Sequence, residues 1–435
     1  MLSTYSKKLE EIDPIKSIGR VTRAVGLIVE ARGPAVSVGD LCHLSSSGGE
    51  RMAMLEVVGF RDNHVLLMPL GQMPPVKSGD TIIAAGVSNR IKVGPELLGR
   101  TINSLGEPLD NFGDFKTADS YPLNRTTTNP LERTGIDEPL ETGIRVIDGL
   151  LTIGAGQRIG IFGGSGVGKS TLLGMMAKRS DADINVIALI GERGREVREF
   201  IENELGEEGM KRSVVLVSTS DDSALVRIRA ALAATAIAEF FKDQGSNVLL
   251  IMDSVTRFCM AQREIGLAAG EPPSSRGYTP SVFSMLPRLL ERAGKFENGG
   301  SITGFYTVLV EGDDMNEPVA DSVRSILDGH IVLSRELAQQ NHYPCIDVLQ
   351  SASRLFSKVA SREHETQAGQ ARELLAAYKR AEDLINIGAY EMGSNQTVDL
   401  AIAKHEELTN FLKQEHDEIS TMEDSIDQLM SIRTI

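Results

Sequence analysis

Apolar runs alternate with segments of helical spacing through the middle of the chain, from about residue 146 to 350. The segment 224–241 is rich in Ala, Leu and Ile and predicts one of the helices. Strands and helices in alternation predict an α/β domain with a largely parallel sheet and helices on both faces. The predicted strands are 158–162, 185–190, 213–218, 247–252, 301–310 and 330–333.

The preceding segment, 17–90, shows short strands at regular spacing, separated by polar turns rich in Gly, Asp and Asn. This pattern is typical of a small closed β-barrel. Its predicted strands are 20–30, 40–44, 52–60, 64–70 and 80–85.

Beyond about residue 355 the pattern becomes helical. The segment 365–387 predicts a long amphipathic helix that Gly388 closes, and helical segments 400–411 and 419–432 follow. At the other end, residues 1–16 fit either a small helix that docks on a partner or membrane surface, or a frayed terminus. The predicted divisions are a segment 1–16, a barrel 17–90, a connector 91–145, an α/β domain 146–355 and a helical domain 356–435.

Composition narrows the class of protein. The chain has 435 residues and a net charge of −15, and an acidic surface argues against broad nucleic-acid binding. No apolar run approaches the roughly 18 residues that span a bilayer, and the first residues show no secretory signal. Three widely spaced cysteines predict no disulfide framework, so we expect a reducing, cytoplasmic setting.

Residues 163–170 carry the most informative motif, the G-x-x-x-x-G-K-[ST] phosphate-binding loop, with a predicted strand before it and a helix after it. Its backbone amides and the following helix N-terminus form an anion cradle. Lys169 is expected to reach the outer phosphates and Ser170 to bind Mg²⁺. The predicted nucleotide-binding residues here are Gly163, Gly164, Ser165, Gly166, Val167, Gly168, Lys169, Ser170 and Thr171.

Two carboxylates follow predicted strands of the same domain. Asp253 ends the apolar strand 247–252, and the carboxyl ends of parallel strands are where α/β sheets bind ligands. It is predicted to hold Mg²⁺ through the water shell of the metal. Glu192, after the strand 185–190, is either the residue that polarises the attacking water or a surface glutamate in a charged turn.

Three further residues are candidates for the same site. Arg257 lies four positions after Asp253 and is predicted to be a supporting cation. Arg354 is either a guanidinium aimed at the γ-phosphate or a surface arginine in an ion pair. Tyr343, which precedes a proline, is either a stacking surface for adenine or a packed aromatic residue.

These motifs together resemble a known family. The stretch 99–110, the phosphate loop, Gly191-Glu192-Arg193 and Ser353-Arg354 resemble the catalytic-type head subunits of rotary ATPases and ATP synthases. The stretches 270–294 and 305–330 resemble the ATPase of type III protein export, in its flagellar branch. The departures from the pattern are Cys345 and an acidic tail beyond residue 400.

The resemblance implies a RecA-like ATPase core that uses ATP and Mg²⁺ to energise protein export. It places Lys169, Ser170, Glu192, Asp253 and Arg257 in one protomer's site, and it makes Arg354 an arginine finger that reaches the neighbouring site of a homo-hexameric ring. It assigns Tyr343 to the adenine. The implied location is the cytoplasm, peripheral at the inner face of the membrane.

The resemblance also implies several partners. A peripheral-stalk-like regulator would bind the N-terminal segment, and a coiled-coil stalk protein would enter the pore, near a helix-turn tip in 267–280. The export gate, cargo and chaperones would meet the C-terminal helices. Competing interpretations are an injectisome ATPase, an ATP synthase subunit, a non-catalytic ring member and a nucleic-acid translocase; the presence of Glu192 and the acidic charge argue against the last two.

Overall fold

Six short strands close into a barrel at the start of the described chain, which the computed structural model gives as residues 17–85, 89–125, 130–297, 299–310, 312 and 314–432. The helix expected within 1–16 lies outside these residues. Around the barrel the strand order is β1-β2-β5-β4-β3-β6, and β6 pairs back with β1. The strands are β1 (Ile18–Val25), β2 (Ile28–Arg32), β3 (Leu41–Ser45), β4 (Arg51–Arg61), β5 (His64–Pro69) and β6 (Thr81–Ala84).

The prediction of a single strand over 20–30 was wrong. Gly26 has a φ of 57°, a left-handed conformation that glycine adopts without strain, and it turns the chain back on itself. β1 and β2 therefore form an antiparallel hairpin. Periodicity alone could not locate this turn, because the residues on either side of the glycine continue a strand-like pattern.

The segment between barrel and central sheet, expected to be a connector, contains ordered strands. β7 (Arg90–Val93) pairs with β9 (Asp119–Pro122), while β8 (Thr101–Asn103) extends the edge of the central sheet. Next come β10 (Pro139–Leu140), α1 (Arg145–Leu150) and β11 (Ile153–Gly154), and β10 pairs with β11.

The central sheet has the order β19-β18-β12-β17-β15-β13-β14-β8, and a short strand, β16, pairs with β17. Its neighbours are parallel except at β19 and β16. All six segments predicted as strands belong to it. The strands are β12 (Arg158–Gly163), β13 (Ile184–Glu192), β14 (Ser213–Thr219), β15 (Asn247–Asp253), β16 (Gly294–Lys295), β17 (Ser301–Leu309), β18 (Gly329–Leu333) and β19 (Ile346–Ser353).

Helices cover both faces of this sheet, so its central strands are buried on both sides and are rich in apolar residues. A π-helical stretch, Phe200–Leu205, lies between the third and fourth α-helices. The helices are α2 (Lys169–Arg179), α3 (Gly194–Glu199), α4 (Gly206–Lys211), α5 (Ala224–Asp243), α6 (Val255–Ala269), α7 (Pro280–Leu290), α8 (Pro318–Ile326) and α9 (Arg335–Gln339).

The C-terminal helices pack against α1 and the α2 side of the sheet. They are α10 (Phe356–Val359), α11 (Arg362–Asn386), α12 (Gln396–Leu412) and α13 (Met422–Ser431). Ser361 caps α11 by accepting the amide of His364, and the helix ends just before Gly388, which has a φ of 68°. A Cβ at Gly149 would lie 2.7 Å from the Phe411 ring, so α1 and α12 require a glycine at their contact.

One buried ion pair joins the helices on the other face. Arg292 donates two hydrogen bonds of 2.8 Å to the carboxylate of Glu239 in α5, and its third nitrogen donates to the Leu123 carbonyl at 2.7 Å. Both side chains are more than 90% buried. The pair therefore connects the segment after α7, helix α5 and the chain that follows β9.

Replacing Arg292 with methionine is expected to destabilise the protein by about 3 kcal/mol, because Glu239 would keep a buried charge without a partner. Adding Glu239→Leu should recover most of this loss. Lys211→Met, which removes an exposed ion pair with Glu208, should change stability far less than Arg292→Met. Urea unfolding followed by circular dichroism measures all three. Equal losses for Arg292→Met and Lys211→Met would contradict the structural role of the pair.

Candidate active site

The phosphate loop joins the end of β12 to the start of α2, as the motif predicts. Gly166 and Gly168 have φ angles of 79° and 72°, in the left-handed region that favours glycine. Ser165 and Gly166 are exposed at the loop surface. The loop therefore has the backbone conformation and the helix N-terminus that bind anions in other proteins.

Lys169, the first residue of α2, extends across the edge of the sheet. Its Nζ atom lies 2.5 Å from Oδ1 of Asp253, which ends β15. The same carboxylate oxygen accepts a 2.7 Å hydrogen bond from the Thr307 hydroxyl on β17, the strand between β12 and β15. Asp253 is only 4% exposed, so these two donors hold a buried carboxylate.

Glu192 lies beside this pair. It ends β13, where the pairing register with β14 shifts between Ile190 and Glu192. Burial and, after it, the negative charge of Asp253 raise the pKa of Glu192 to about 7, against the opposing effect of the Lys169 charge. A carboxylate with a pKa near 7 is suited to accept a proton from water.

Arg257 contacts the same turn. Its side-chain carbons lie 3.2 Å from the position that a Cβ on Gly191 would occupy, so a glycine is needed where the two meet. Its Nε atom is buried and has no hydrogen-bond partner among the described residues. The structure thus brings Lys169, Glu192, Asp253 and Arg257 together at the carboxyl edge of the sheet.

Tyr343 lies on the other side of the loop. Its ring is 3.3 Å from the position of a Cβ on Gly168 and it is 41% exposed. Beside it is a cavity of about 390 Å³, a size within the range of small-molecule sites. The lining residues are Val167, Gly168, Thr171, Leu172, Met175, Leu333, Tyr343, Pro344, Cys345, Gln414, Glu415 and His416.

Residues 414–416 form part of this cavity, and no pattern in the chain predicted them as site residues. The side chain of Gln414 accepts a hydrogen bond from the Arg145 backbone amide and donates one to the Gly143 carbonyl. The backbone amide of Gln414 donates to the Tyr343 carbonyl at 2.9 Å. Thr307, whose hydroxyl donates to Asp253, was likewise not predicted as a site residue. A glutamine in a polar loop and a threonine in a buried strand are too common to signal a site.

The residues predicted to bind Mg²⁺ fit that metal chemically. Ser170 offers a hydroxyl at an exposed position beside the phosphate loop, and Asp253 offers a carboxylate at the end of β15. Hard oxygen donors of this kind are the ligands that Mg²⁺ prefers. Thr171, in contrast, donates its hydroxyl to Glu204 in the π-helical stretch.

Arg354 lies at the amino ends of the parallel strands, on the side of the sheet opposite the phosphate loop. Its amide donates to the carbonyl of Asp328, and the Asp328 carboxylate binds Arg158 at the start of β12. The phosphate loop begins five residues further along β12, about 16 Å away at the usual rise of a strand, which is more than an arginine side chain spans. Arg354 is exposed and donates to the Arg324 carbonyl at 3.3 Å. It therefore does not join the site of its own chain.

Comparison with known proteins agrees with this arrangement. The ATP synthase alpha/beta family, nucleotide-binding domain, matches residues 143–353, and the T3SS EscN ATPase C-terminal domain matches 360–431. The chain is 54% identical to the flagellum-specific ATP synthase of Bacillus subtilis, over 98% of this chain and 97% of the relative. It is 49% identical to the type 3 secretion system ATPase of Sinorhizobium fredii, over 98% and 94%.

This chain belongs to the family of flagellum-specific and type III secretion ATPases. It is an ATP-hydrolysing enzyme of type III secretion, and the family and fold inferred from its motifs are confirmed.

Solved structures support the same assignment for this ATPase. The assembled ATPase EscN from the enteropathogenic E. coli type III secretion system superimposes with a TM-score of 0.90 at 46% identity, covering 95% of this chain and 99% of EscN. EscN in complex with its central stalk EscO gives a TM-score of 0.87 at 45% identity, with the same coverage. Within the described part of this ATPase, no helix is both long enough and apolar enough to cross a membrane.

The raised pKa of Glu192 has a consequence for stability. The folded chain holds this proton up to about pH 7, whereas an unfolded glutamate loses it near pH 4.5. The folded state therefore loses stability as the pH rises between these values. Glu192→Gln removes the titration, so the variant should unfold at a higher temperature than wild type at pH 8, and the difference should shrink toward pH 5.

Thermal unfolding of the nucleotide-free protein between pH 5 and 8 measures this difference. The control is Glu199→Gln, an exposed residue of α3, whose effect should not vary with pH in the same way. A constant difference between Glu192→Gln and wild type across this range would show that Glu192 ionises normally.

Proposed function

We propose that this ATPase uses Mg²⁺-dependent ATP hydrolysis to energise the export of flagellar axial proteins by releasing and unfolding chaperone-bound cargo at the export gate. The observation that carries the proposal is the cluster of Lys169, Asp253 and Glu192 beside the phosphate loop, with Arg354 on the opposite edge of the sheet.

Each residue of the cluster has a distinct task in this proposal. The loop amides and Lys169 hold the phosphates, which requires the Lys169 ammonium to leave Asp253. Asp253 and Ser170 would hold Mg²⁺, which would neutralise charge on the phosphates. Glu192 orients the attacking water and takes up its proton, and Arg257 adds positive charge nearby.

Adenine would occupy the cavity beside Tyr343. The apolar lining and the exposed face of the Tyr343 ring suit a planar base, since such rings stack favourably on aromatic side chains. Residues 414–416 would then sense an occupied site. The hydrogen bonds of Gln414 to Arg145 and Gly143 give a route by which nucleotide binding could shift the C-terminal helices against the core.

The position of Arg354 favours a shared site. An arginine too far from its own phosphate loop can act as a finger only in the site of a neighbouring copy, and a closed ring supplies that neighbour to every protomer. We propose a homo-hexamer with a coiled-coil stalk in its pore, in keeping with the assembled EscN and its complex with EscO.

Other partners rest on the resemblance alone. A peripheral-stalk-like regulator would bind residues 1–16, and cargo, chaperones and the export gate would meet the C-terminal helices. We expect the ring in the cytoplasm, peripheral at the membrane, with no nucleic acid bound. The second candidate is an injectisome ATPase, which the 49% identity to a type 3 secretion system ATPase favours.

ATP turnover in mixtures of two variants tests the shared site. Glu192→Gln and Arg354→Ala should each lose activity by about a hundredfold or more, because one removes the base and the other the finger. In equal mixture, about one quarter of the sites of a ring would combine an intact Glu192 with an intact neighbouring Arg354. Activity should therefore return to about that fraction, and wild-type specific activity should rise with protein concentration.

Lys358→Ala is the matched control, since it removes an exposed positive charge four residues from Arg354 and should leave turnover unchanged. If Arg354→Ala remains active and wild-type turnover does not depend on concentration, the ring mechanism is wrong and the chain acts as a monomeric nucleotide switch.

Motility separates the flagellar assignment from the injectisome one. Expression of this chain in Bacillus subtilis that lacks its own flagellum-specific ATP synthase should restore swimming, measured as halo expansion in soft agar, because the two chains are 54% identical along their length. Lys169→Ala should not restore it. A chain that is present and hydrolyses ATP in these cells without restoring swimming would favour the injectisome.

A further inference from the structure

We propose that Cys345 is a positioning residue for the phosphate loop, whose thiol orients the amide of Gly168 toward the nucleotide phosphates. This inference rests on the proposed function. Its starting point is a contact across the cavity: the Sγ atom of Cys345 donates to the carbonyl of Val167, in the middle of the loop, at 2.8 Å. Cys345 also lines the 390 Å³ cavity beside the loop, so the thiol lies between the space for a ligand and the loop.

The backbone of Cys345 is fixed from the sheet side. It precedes β19, and its carbonyl accepts the amide of Ser334 at 2.8 Å, just past the end of β18. Ser334 in turn caps α9 by accepting the amide of Leu337. The thiol therefore projects from an anchored strand start, and Cys345 is only 1% exposed.

The thiol is a donor under physiological conditions. Burial raises its pKa to about 11, so it keeps its proton near pH 7. A protonated thiol can donate to a carbonyl, whereas a thiolate would repel it. The raised pKa also makes this cysteine a poor nucleophile, which points to a role in geometry rather than in chemistry.

The geometry of the peptide unit carries the inference to the phosphates. In a trans peptide the C=O of one residue and the N–H of the next point in opposite directions. The Val167 carbonyl points at Cys345, so the Gly168 N–H points away from it. On one side this peptide is bounded by Gly168, whose φ is 72°; a glycine there has no side chain that would fix the orientation of the peptide, so another contact has to hold it. The thiol supplies that restraint.

A packing role would give a different result from a hydrogen-bonding role. Serine is nearly as small as alanine, so both Cys345→Ser and Cys345→Ala would leave a gap, but only serine keeps a donor. Cys42, a buried thiol in the barrel core, offers a matched control far from the loop. The ligand pair ADP and adenosine separates the phosphates from the base, since both place adenine in the same cavity.

Isothermal titration of wild type, Cys345→Ala, Cys345→Ser and Cys42→Ala with ADP and with adenosine tests the proposal. We expect Cys345→Ala to weaken ADP binding about fivefold, the scale of one hydrogen bond, and to leave adenosine binding unchanged. Cys345→Ser should bind ADP within about twofold of wild type, and Cys42→Ala should match wild type for both ligands.

The proposal is overturned if alanine leaves ADP binding unchanged, if ADP and adenosine weaken together, or if serine is as damaging as alanine, since the last two results indicate packing. Thermal unfolding of each variant without nucleotide shows whether it is folded, and the serine variant keeps the test decisive if alanine does not fold. Failure of wild type to bind ADP is a distinct result that would overturn the proposed function itself.

Discussion

Parallel pairing of β12, β17, β15 and β13 is the constraint on which the site depends. It forces the carboxyl ends of all four strands onto one edge, so residues far apart in the chain meet there. The ion pair of Lys169 with Asp253 joins the start of α2 to the end of β15, and Thr307 on the intervening strand β17 donates to the same carboxylate. A carboxylate this deeply buried is costly without a cation, so strand register and phosphate loop have to fit each other.

The edge strand β19 is antiparallel and separates the residues at its two ends. Because β19 is antiparallel to β18, it begins near the phosphate loop and ends at the amino ends of the parallel strands. Cys345, before the start, contacts the loop of its own chain, while Arg354, after the end, faces away from it. The eight-residue strand β19 thus connects Cys345, which contacts the phosphate loop of its own chain, to Arg354, which is proposed to act in a neighbouring site. Movement of β19 would therefore displace both Cys345 and Arg354.

Much of this arrangement could be predicted from sequence, and the exceptions have physical reasons. The phosphate loop and the six strand segments are local patterns, so their residues reveal them. The turn at Gly26 depends on one glycine inside a strand-like run, and the pairing of β8 with β14 depends on tertiary contacts that no local pattern shows. Thr307 and Gln414 contribute through where the fold places them, and no residue type marks such a contribution. In the sequence Cys345 stood out only as a departure from the family pattern, and the contact of its thiol with the Val167 carbonyl is what indicates a role for it.

Charge balance at the sheet edge suggests why phosphate and metal would bind together. In this structure the Lys169 ammonium neutralises Asp253. If the phosphates draw Lys169 away, Asp253 is left buried with only the Thr307 hydroxyl, and its proximity to Glu192 adds repulsion between carboxylates. Asp253 and Ser170 would hold a divalent cation that would restore the balance, and Glu192 would be the carboxylate left to exchange a proton. The same two carboxylates thereby acquire different roles from a single exchange of cations.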